Sequence, residues 1–169
     1  MKVCDAVAEW FERKGYTHAF GIIGGGNVAV FDAVARRAKT QVVCVHHEQA
    51  AAMAGAYYWR QVERVAPVLC TTGAGSANAI TGVLAAWMDS IPLLVISGNE
   101  ASQYMSQPQR VWGVQGYASC EVAYRFVKYG ARMMEPDIDM LDHAVQMALS
   151  GRPGPVWIDI PKDIQNAMV

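Results

Sequence analysis

Residues 68–96 read VLCTTGAGSANAITGVLAAWMDSIPLLVI and contain a complete strand–turn–helix–strand pattern. Residues 68–71 are a short apolar run, residues 72–75 are rich in glycine, and the helical stretch that follows extends to Trp87. A second apolar run occupies residues 91–96. Because apolar strands that alternate with helices of this length form βαβ units, this segment predicts a parallel sheet that is covered on both faces.

The same alternation extends along the chain on both sides of this unit. Further strand-like runs occupy residues 19–23, 42–45 and 155–160, and helical patterns occupy residues 3–11, 28–38, 50–56 and 136–150. We expect Gly15 to end the first helix and Asn27 to cap the second. Residues 50–56 are almost all small, which indicates close backbone packing, and the weakly periodic residues 98–120 predict a long surface loop. The pattern as a whole predicts one doubly wound α/β domain over residues 1–169, with a mostly parallel sheet of about six strands and helices on both faces.

The composition excludes several classes of protein. Of the 169 residues, 53% are apolar and 17% are charged, and the net charge is −1. Intrinsic disorder needs low hydrophobicity and high net charge, so it is excluded. Without a basic surface we expect no nucleic-acid partner, and without a run of about 18 apolar residues we expect no membrane partner. The start of the chain lacks the apolar core of a signal peptide, and the widely spaced cysteines indicate reduced thiols, so we expect a cytoplasmic protein.

Polar or glycine-rich residues follow three of the predicted strands. These segments are residues 24–26 (GGG), 46–48 (HHE) and 72–75 (TGAG). Because the carboxyl ends of parallel strands lie at one edge of a sheet, we expect the three segments to converge there, where ligands bind in folds of this class. The Glu48 carboxylate there either shares a proton with a ligand nitrogen or is a first-turn acid that the helix dipole stabilises.

The glycine-rich turn allows a different interpretation. Residues 24–29 read GGGNVA, which fits G-x-G-x-x-A, and Glu48 follows about 20 residues later, as in the dinucleotide-binding fingerprint. A helix precedes the first strand, however, whereas the fingerprint normally opens its fold. The glycines are also compatible with a simple tight turn between strand and helix. A metal site is disfavoured, because His46 and His47 are adjacent and point to opposite faces of an extended chain.

Four segments of the chain resemble thiamine diphosphate enzymes of the acetolactate synthase type. They are residues 45–54 (VHHEQAAAMA), 72–82 (TGAGSANAITG), 87–98 (WMDSIPLLVISG) and 151–163 (GRPGPVWIDIPKD). The four segments occur in the family's order and span nearly the whole chain. The resemblance is to the first domain of these enzymes, which binds the aminopyrimidine ring of the cofactor.

The resemblance implies a role for each matching residue. In the family, a glutamate of the first segment hydrogen-bonds the pyrimidine and promotes loss of the thiazolium proton, after which the cofactor attacks a 2-oxo acid. Glu48 matches it and is the implied catalytic residue. The implied cofactor-binding residues are Gly24, Gly25, Gly26, Glu48, Thr72, Gly73, Gly75 and Asn78. No metal ligand is implied within this chain.

The resemblance also implies domains that this sequence lacks. In the family, Mg²⁺ and the diphosphate are held by a domain with a Gly-Asp-Gly motif, and no Gly-Asp-Gly occurs here. We therefore expect the chain to be inactive alone and to act with a diphosphate-binding domain of the same or another subunit, in a homodimer or homotetramer that uses a small 2-oxo acid. The resemblance leaves open whether a middle domain contains FAD.

Some residues depart from the family pattern. Residues 24–26 replace Pro-Gly-Gly, His46 stands where arginine is usual, and residues 114–116 (VQG) replace Phe-Gln-Glu. The last difference leaves the carbonyl acceptor open between a 2-oxo acid and other carbonyl compounds, including nucleotide-linked keto sugars. Two other classes also stay open, a dinucleotide-binding dehydrogenase domain and a non-catalytic interaction domain.

Overall fold

A computed structural model describes residues 1–105, 115–117 and 119–169. Six strands form one sheet: β1 (His18–Gly21), β2 (Gln41–Cys44), β3 (Val68–Cys70), β4 (Leu93–Asn99), β5 (Tyr129–Arg132) and β6 (Pro155–Pro161). The helices are α1 (Val3–Lys14), α2 (Val28–Arg37), α3 (Glu48–Val62), α4 (Ala74–Met88), α5 (Ser102–Met105), α6 (Ser119–Val122), α7 (Asp139–Leu149) and α8 (Lys162–Asn166).

The sheet order is β2-β1-β3-β4-β6-β5, and every neighbouring pair of strands is parallel. The chain moves outward from β1 to β2 and then crosses back to place β3 on the other side of β1. This reversal puts a topological switch point between the carboxyl ends of β1 and β3, the place where doubly wound sheets bind ligands. The predicted doubly wound α/β fold with about six strands is confirmed.

Two apolar layers cover the sheet. On one face, Trp10 and Phe11 of α1 pack with residues of α2 and α7, and both are fully buried. On the other face, alanines of α3 and α4 pack around the fully buried Trp157 of β6. All residues of β4 and β6 are buried, as expected for the central strands of a sheet that is covered on both sides. No helix within the described residues is both long and apolar enough to cross a membrane.

The small residues of α3 are explained by packing within the chain. A Cβ added to Gly82 of α4 would lie 2.6 Å from the Ala52 Cβ of α3, and one added to Gly55 would lie 2.8 Å from Leu93 Cδ1 of β4. Larger residues at these positions would separate the two helices from each other or from the sheet. The close backbone packing predicted from residues 50–56 is confirmed.

The predicted surface loop over residues 98–120 is wrong at its two ends and over α5, where the structure has strand or helix. Gly98 and Asn99 continue β4 and pair with Ile160 and Pro161 of β6, and Cys120 is buried in α6. A Cβ on Gly98 would lie 1.8 Å from the Gly26 carbonyl oxygen, so the strand needs glycine there. The glycine at position 98, which suggested a loop, is thus required by close packing. Residues 106–114 and 118 lie outside the described residues.

Other differences concern strand and helix ends. Residues 129–132 (YGAR) form the edge strand β5 without any alternation of apolar and polar residues that would have predicted it. The last long helix begins at Asp139, three residues later than expected. Gly15 ends α1 in the left-handed conformation, at φ 68°, as predicted.

Candidate functional site

The three segments that follow β1, β2 and β3 converge at the carboxyl edge of the sheet. A Cβ on Gly24 would lie 2.5 Å from Thr71 Oγ1, and one on Gly26 would lie 2.2 Å from Thr72 Cγ2. The turn after β1 is therefore packed directly against the turn after β3. Glycine is required at Gly24 and Gly26 by this contact.

Side chains from three elements hold the first glycine turn. Asn27 Oδ1 accepts the Gly24 N–H at 2.8 Å, and Asn27 Nδ2 donates to the Ile22 carbonyl at 3.0 Å. Thr71 Oγ1 accepts the Gly26 N–H at 3.1 Å, while the buried Gln165 of α8 donates to the Gly26 carbonyl at 2.6 Å. Asn27 occupies the N-cap position of α2, as predicted, but its side chain makes no capping hydrogen bond and closes the turn in front of the helix instead.

These contacts bear on the dinucleotide interpretation of the same glycines. A pyrophosphate at a glycine-rich turn is bound by free backbone N–H groups near the start of the helix. The N–H groups of Gly24 and Gly26 are instead used by Asn27 and Thr71. The Thr71 and Thr72 side chains also lie against this turn. The packing therefore disfavours a pyrophosphate there.

Glu48 is the first residue of α3 and is 7% exposed. Its Oε2 accepts a hydrogen bond from Asn78 Nδ2 of α4 at 3.0 Å. Its Oε1 lies 3.0 Å from where a Cβ on Gly75 would be, which is closer than ordinary van der Waals contact, so the carboxylate packs against α4 at this glycine. His47 caps the helix by accepting the Gln49 N–H at Nδ1, and a carboxylate at this helix end is also favoured by the dipole.

The second turn contains a backbone conformation that favours glycine. Gly73 precedes α4 with φ 59° and ψ −122°. The Thr72 hydroxyl next to it donates to Gln115 Oε1 at 2.7 Å. Of the predicted site residues, Glu48, Gly75 and Asn78 are in direct contact, and the others line the adjoining turns. Gly25 is exposed, and an added Cβ there would contact nothing within 4 Å.

Five residues of this site were missed by the sequence analysis: Thr71, Ser76, Gln115, Tyr117 and Gln165. Thr71 contacts Gly24, Gly26 and Gly75. Ser76, Gln115 and Tyr117 form hydrogen bonds to the second turn, and Gln165 donates to the first. The position of Thr71 at a strand end was a usable signal. Tyr117 gave none, because it lies some 40 residues away in an aperiodic segment, and Gln115 was marked only by its match to the glutamine of the family's Phe-Gln-Glu. Val114, also in the VQG segment, lies outside the described residues.

Two buried groups near the site have shifted acidities. Burial raises the pKa of the Cys70 thiol at the end of β3, and the nearby Glu48 and Asp159 carboxylates add to the shift. Burial also raises the pKa of Asp159, although hydrogen bonds from Ser97 and Cys120 oppose this. Cys70 is therefore a neutral, inert part of the core.

His46 and His47 are both exposed at the end of β2. Across the parts of the chain that the structure describes, no group of three or more His, Cys, Asp or Glu side chains could hold a metal ion.

Comparisons with known proteins identify the family to which the chain is similar. Residues 1–124 match the family model described as thiamine pyrophosphate enzyme, N-terminal TPP binding domain. The acetolactate synthase of Arthrospira platensis is 34% identical over 172 residues, covering 97% of this chain and 28% of the relative. The acetolactate synthase isozyme 3 large subunit of Escherichia coli is 37% identical over 158 residues, covering 90% of this chain and 26% of the relative.

A plant relative shows the same relationship. The chloroplastic acetolactate synthase of Arabidopsis thaliana is 31% identical over 172 residues, covering 99% of this chain and 25% of the relative. The chain thus spans about a quarter of the length of the curated relatives that it matches.

Proposed function

The chain belongs to the family of thiamine pyrophosphate enzyme N-terminal domains, and on that basis we propose that it binds the aminopyrimidine of thiamine diphosphate and activates it through Glu48. The observation that carries the proposal is the buried Glu48 carboxylate at the switch-point edge, held on one oxygen by Asn78. The activity served is the decarboxylation of a 2-oxo acid, coupled to carbon–carbon bond formation.

The residues present fit a pyrimidine ring. Among the described residues, Asn78 is the one hydrogen-bond donor to the Glu48 carboxylate, and it uses Oε2. Oε1 accepts no hydrogen bond from these residues and lies 3.0 Å from the position of a Cβ added to Gly75. A buried carboxylate with one oxygen that accepts no hydrogen bond from the described residues is suited to sharing a proton with a ring nitrogen.

When bound, thiamine diphosphate would supply a thiazolium carbon that is nucleophilic once its proton is removed and can then add to the carbonyl group of a 2-oxo acid. The role of this chain is to hold and move one proton at Glu48 Oε1. Asn78 orients the carboxylate from Oε2, and the turns containing Gly24, Gly26 and Gly73 form the wall beside it. Burial of Glu48 keeps water from competing for the shared proton.

We propose that Mg²⁺ and the diphosphate are held by a different domain, of the same or another subunit, in a homodimer or homotetramer. The support is the missing Gly-Asp-Gly motif and the surface of α3 and α4. No charged residue occurs in α4, and the large apolar side chains of Leu84 and Met88 are exposed on this helix, as is Tyr57 on α3. An apolar surface of this kind is typical of protein interfaces. The chain alone is then inactive.

Calorimetric titration of the complete assembly with thiamine diphosphate and Mg²⁺, and separately with NAD, tests this proposal. We expect binding of thiamine diphosphate, no heat from NAD, and turnover of a 2-oxo acid that is lost in Glu48→Gln. Binding of NAD without thiamine diphosphate would contradict the proposal and would favour a dehydrogenase domain. The exposed Glu135→Gln serves as the matched control and should behave as the unmodified protein.

A further inference from the structure

Tyr117 reaches the turn in front of α4 from a distant part of the chain. Its hydroxyl donates to the Gly73 carbonyl at 2.9 Å and lies 3.1 Å from Ser76 Oγ. Ser76 Oγ is itself bonded to the Gly73 carbonyl at 2.9 Å and to Ser119 Oγ at 2.6 Å. Two hydroxyl groups from different elements therefore converge on the carbonyl group that begins α4.

The backbone at Tyr117 is anchored in the sheet. Asn99 Nδ2, at the end of β4, donates to the Tyr117 carbonyl at 3.0 Å and to Asp159 Oδ2 at 3.2 Å. Asn99 of β4 and Asp159 of β6 are both fully buried in interior strands of the sheet. Burial also raises the pKa of the Tyr117 hydroxyl, which therefore stays protonated and able to donate at neutral pH.

The first turn of α4 connects this contact to Glu48. Gly73 precedes the helix, Gly75 follows two residues later against Glu48 Oε1, and Asn78 donates to Glu48 Oε2 from the next turn. Because a helix turn moves as a unit, a change in the position of the Gly73 carbonyl changes the position of both contacts to the carboxylate.

We propose that Tyr117 is a positioning residue, which fixes the start of α4 through the Gly73 carbonyl and thereby sets the position of the Glu48 carboxylate toward the cofactor. This inference rests on the function proposed above. Tyr117 itself is not expected to contact the reacting atoms.

The test compares Tyr117→Phe with Tyr124→Phe in the complete assembly. Tyr124 is 70% exposed, so its variant is a matched control for loss of a tyrosine hydroxyl. The primary measurement is the exchange of the thiazolium proton of bound thiamine diphosphate with deuterium, followed by NMR at saturating cofactor. Cofactor affinity and the thermal midpoint are measured alongside, and Glu48→Gln is included as the reference for complete loss of activation.

We expect Tyr117→Phe to slow exchange about two- to tenfold, the factor that one ordinary hydrogen bond contributes. Cofactor affinity and the thermal midpoint should stay close to those of Tyr124→Phe. Ser76→Ala, which removes a second donor to the same carbonyl, should also slow exchange, and this variant tests the inference if Tyr117→Phe folds poorly.

The failure of this inference differs from failure of the proposed function. Exchange that is slow in Glu48→Gln but normal in both Tyr117→Phe and Ser76→Ala overturns the positioning role alone. A lower thermal midpoint with unchanged exchange would also overturn it, because Tyr117 would then be purely structural. Normal exchange in Glu48→Gln would overturn the proposed function and this inference with it.

Discussion

Replacing Gly75 with alanine tests how tightly the candidate site is packed. The new Cβ would lie 2.6 Å from the Thr71 methyl carbon and 3.0 Å from Glu48 Oε1. Carbon atoms in contact normally lie about 3.5–4.0 Å apart, so the Thr71 methyl group must move by about 1 Å. Rotation of the Thr71 side chain would also break the hydrogen bond that its hydroxyl accepts from the Gly26 N–H.

The size of the effect follows from two opposing terms. Overpacking of a closed site costs about 1–3 kcal/mol. Alanine is a better helix former than glycine by up to about 1 kcal/mol, and residue 75 lies in the first turn of α4. The net loss in the free energy of unfolding should therefore be about 1–2 kcal/mol. For a chain of this length that corresponds to a decrease of roughly 2–8 °C in the thermal midpoint.

Thermal unfolding of the 169-residue chain, followed by tryptophan fluorescence, measures this change, because Trp10 and Trp157 are fully buried on opposite faces of the sheet. Gly25→Ala is the matched control, since its added Cβ has no neighbour within 4 Å. Thr71→Ser removes the clashing methyl group, so it should rescue part of the loss in the Gly75→Ala background. Equal midpoints for Gly75→Ala and Gly25→Ala, or no rescue by Thr71→Ser, would refute the reasoning.

Three further changes test other parts of the structure. Asn78→Ala removes the hydrogen bond to Glu48. Because hydrogen bonds to charged groups are worth about 1.5 kcal/mol or more, this variant should slow thiazolium proton exchange in the complete assembly about tenfold. An unchanged rate would show that Asn78 does not orient the carboxylate. Gly82→Val places a side chain 2.6 Å from the Ala52 Cβ, so the free energy of unfolding in urea should fall by about 3 kcal/mol. A decrease in that free energy below about 0.5 kcal/mol would contradict the contact between α3 and α4. Burial raises the folded-state pKa of Asp159 above 3.8, so the stability it contributes is present at low pH and is lost as the pH rises through that folded-state pKa. Urea unfolding from about pH 4 to about pH 7 should therefore show the native protein losing stability relative to Asp159→Asn, and parallel pH profiles would contradict this.

The sequence was sufficient to predict the fold because its strands are short apolar runs with clear ends. Glycine-rich turns and a charged segment marked the carboxyl ends of β1, β2 and β3, and parallel strands bring such ends together. Glu48 was identifiable for this reason, even before the family resemblance assigned it a role. The edge strand β5 was not predicted, since YGAR carries no alternating pattern and its residues are only partly buried.

The rest of the site depends on contacts between distant residues. Gly98 resembles a loop residue in the sequence, yet it is required in β4 because the Gly26 carbonyl oxygen lies 1.8 Å from the position of an added Cβ. Tyr117 and Gln165 contact the two turns from 44 and 139 residues away. Side-chain contacts over such separations leave no periodic signal in a single sequence.

The central claim is that Glu48 activates the cofactor, and the exchange rate of the thiazolium proton in Glu48→Gln tests it most directly. The measurement uses the complete assembly at saturating thiamine diphosphate and Mg²⁺, with the exposed Glu135→Gln as control. We predict that Glu48→Gln still binds the cofactor but exchanges the proton far more slowly, whereas Glu135→Gln exchanges it normally. Equal exchange rates in the two variants would contradict the role assigned to Glu48.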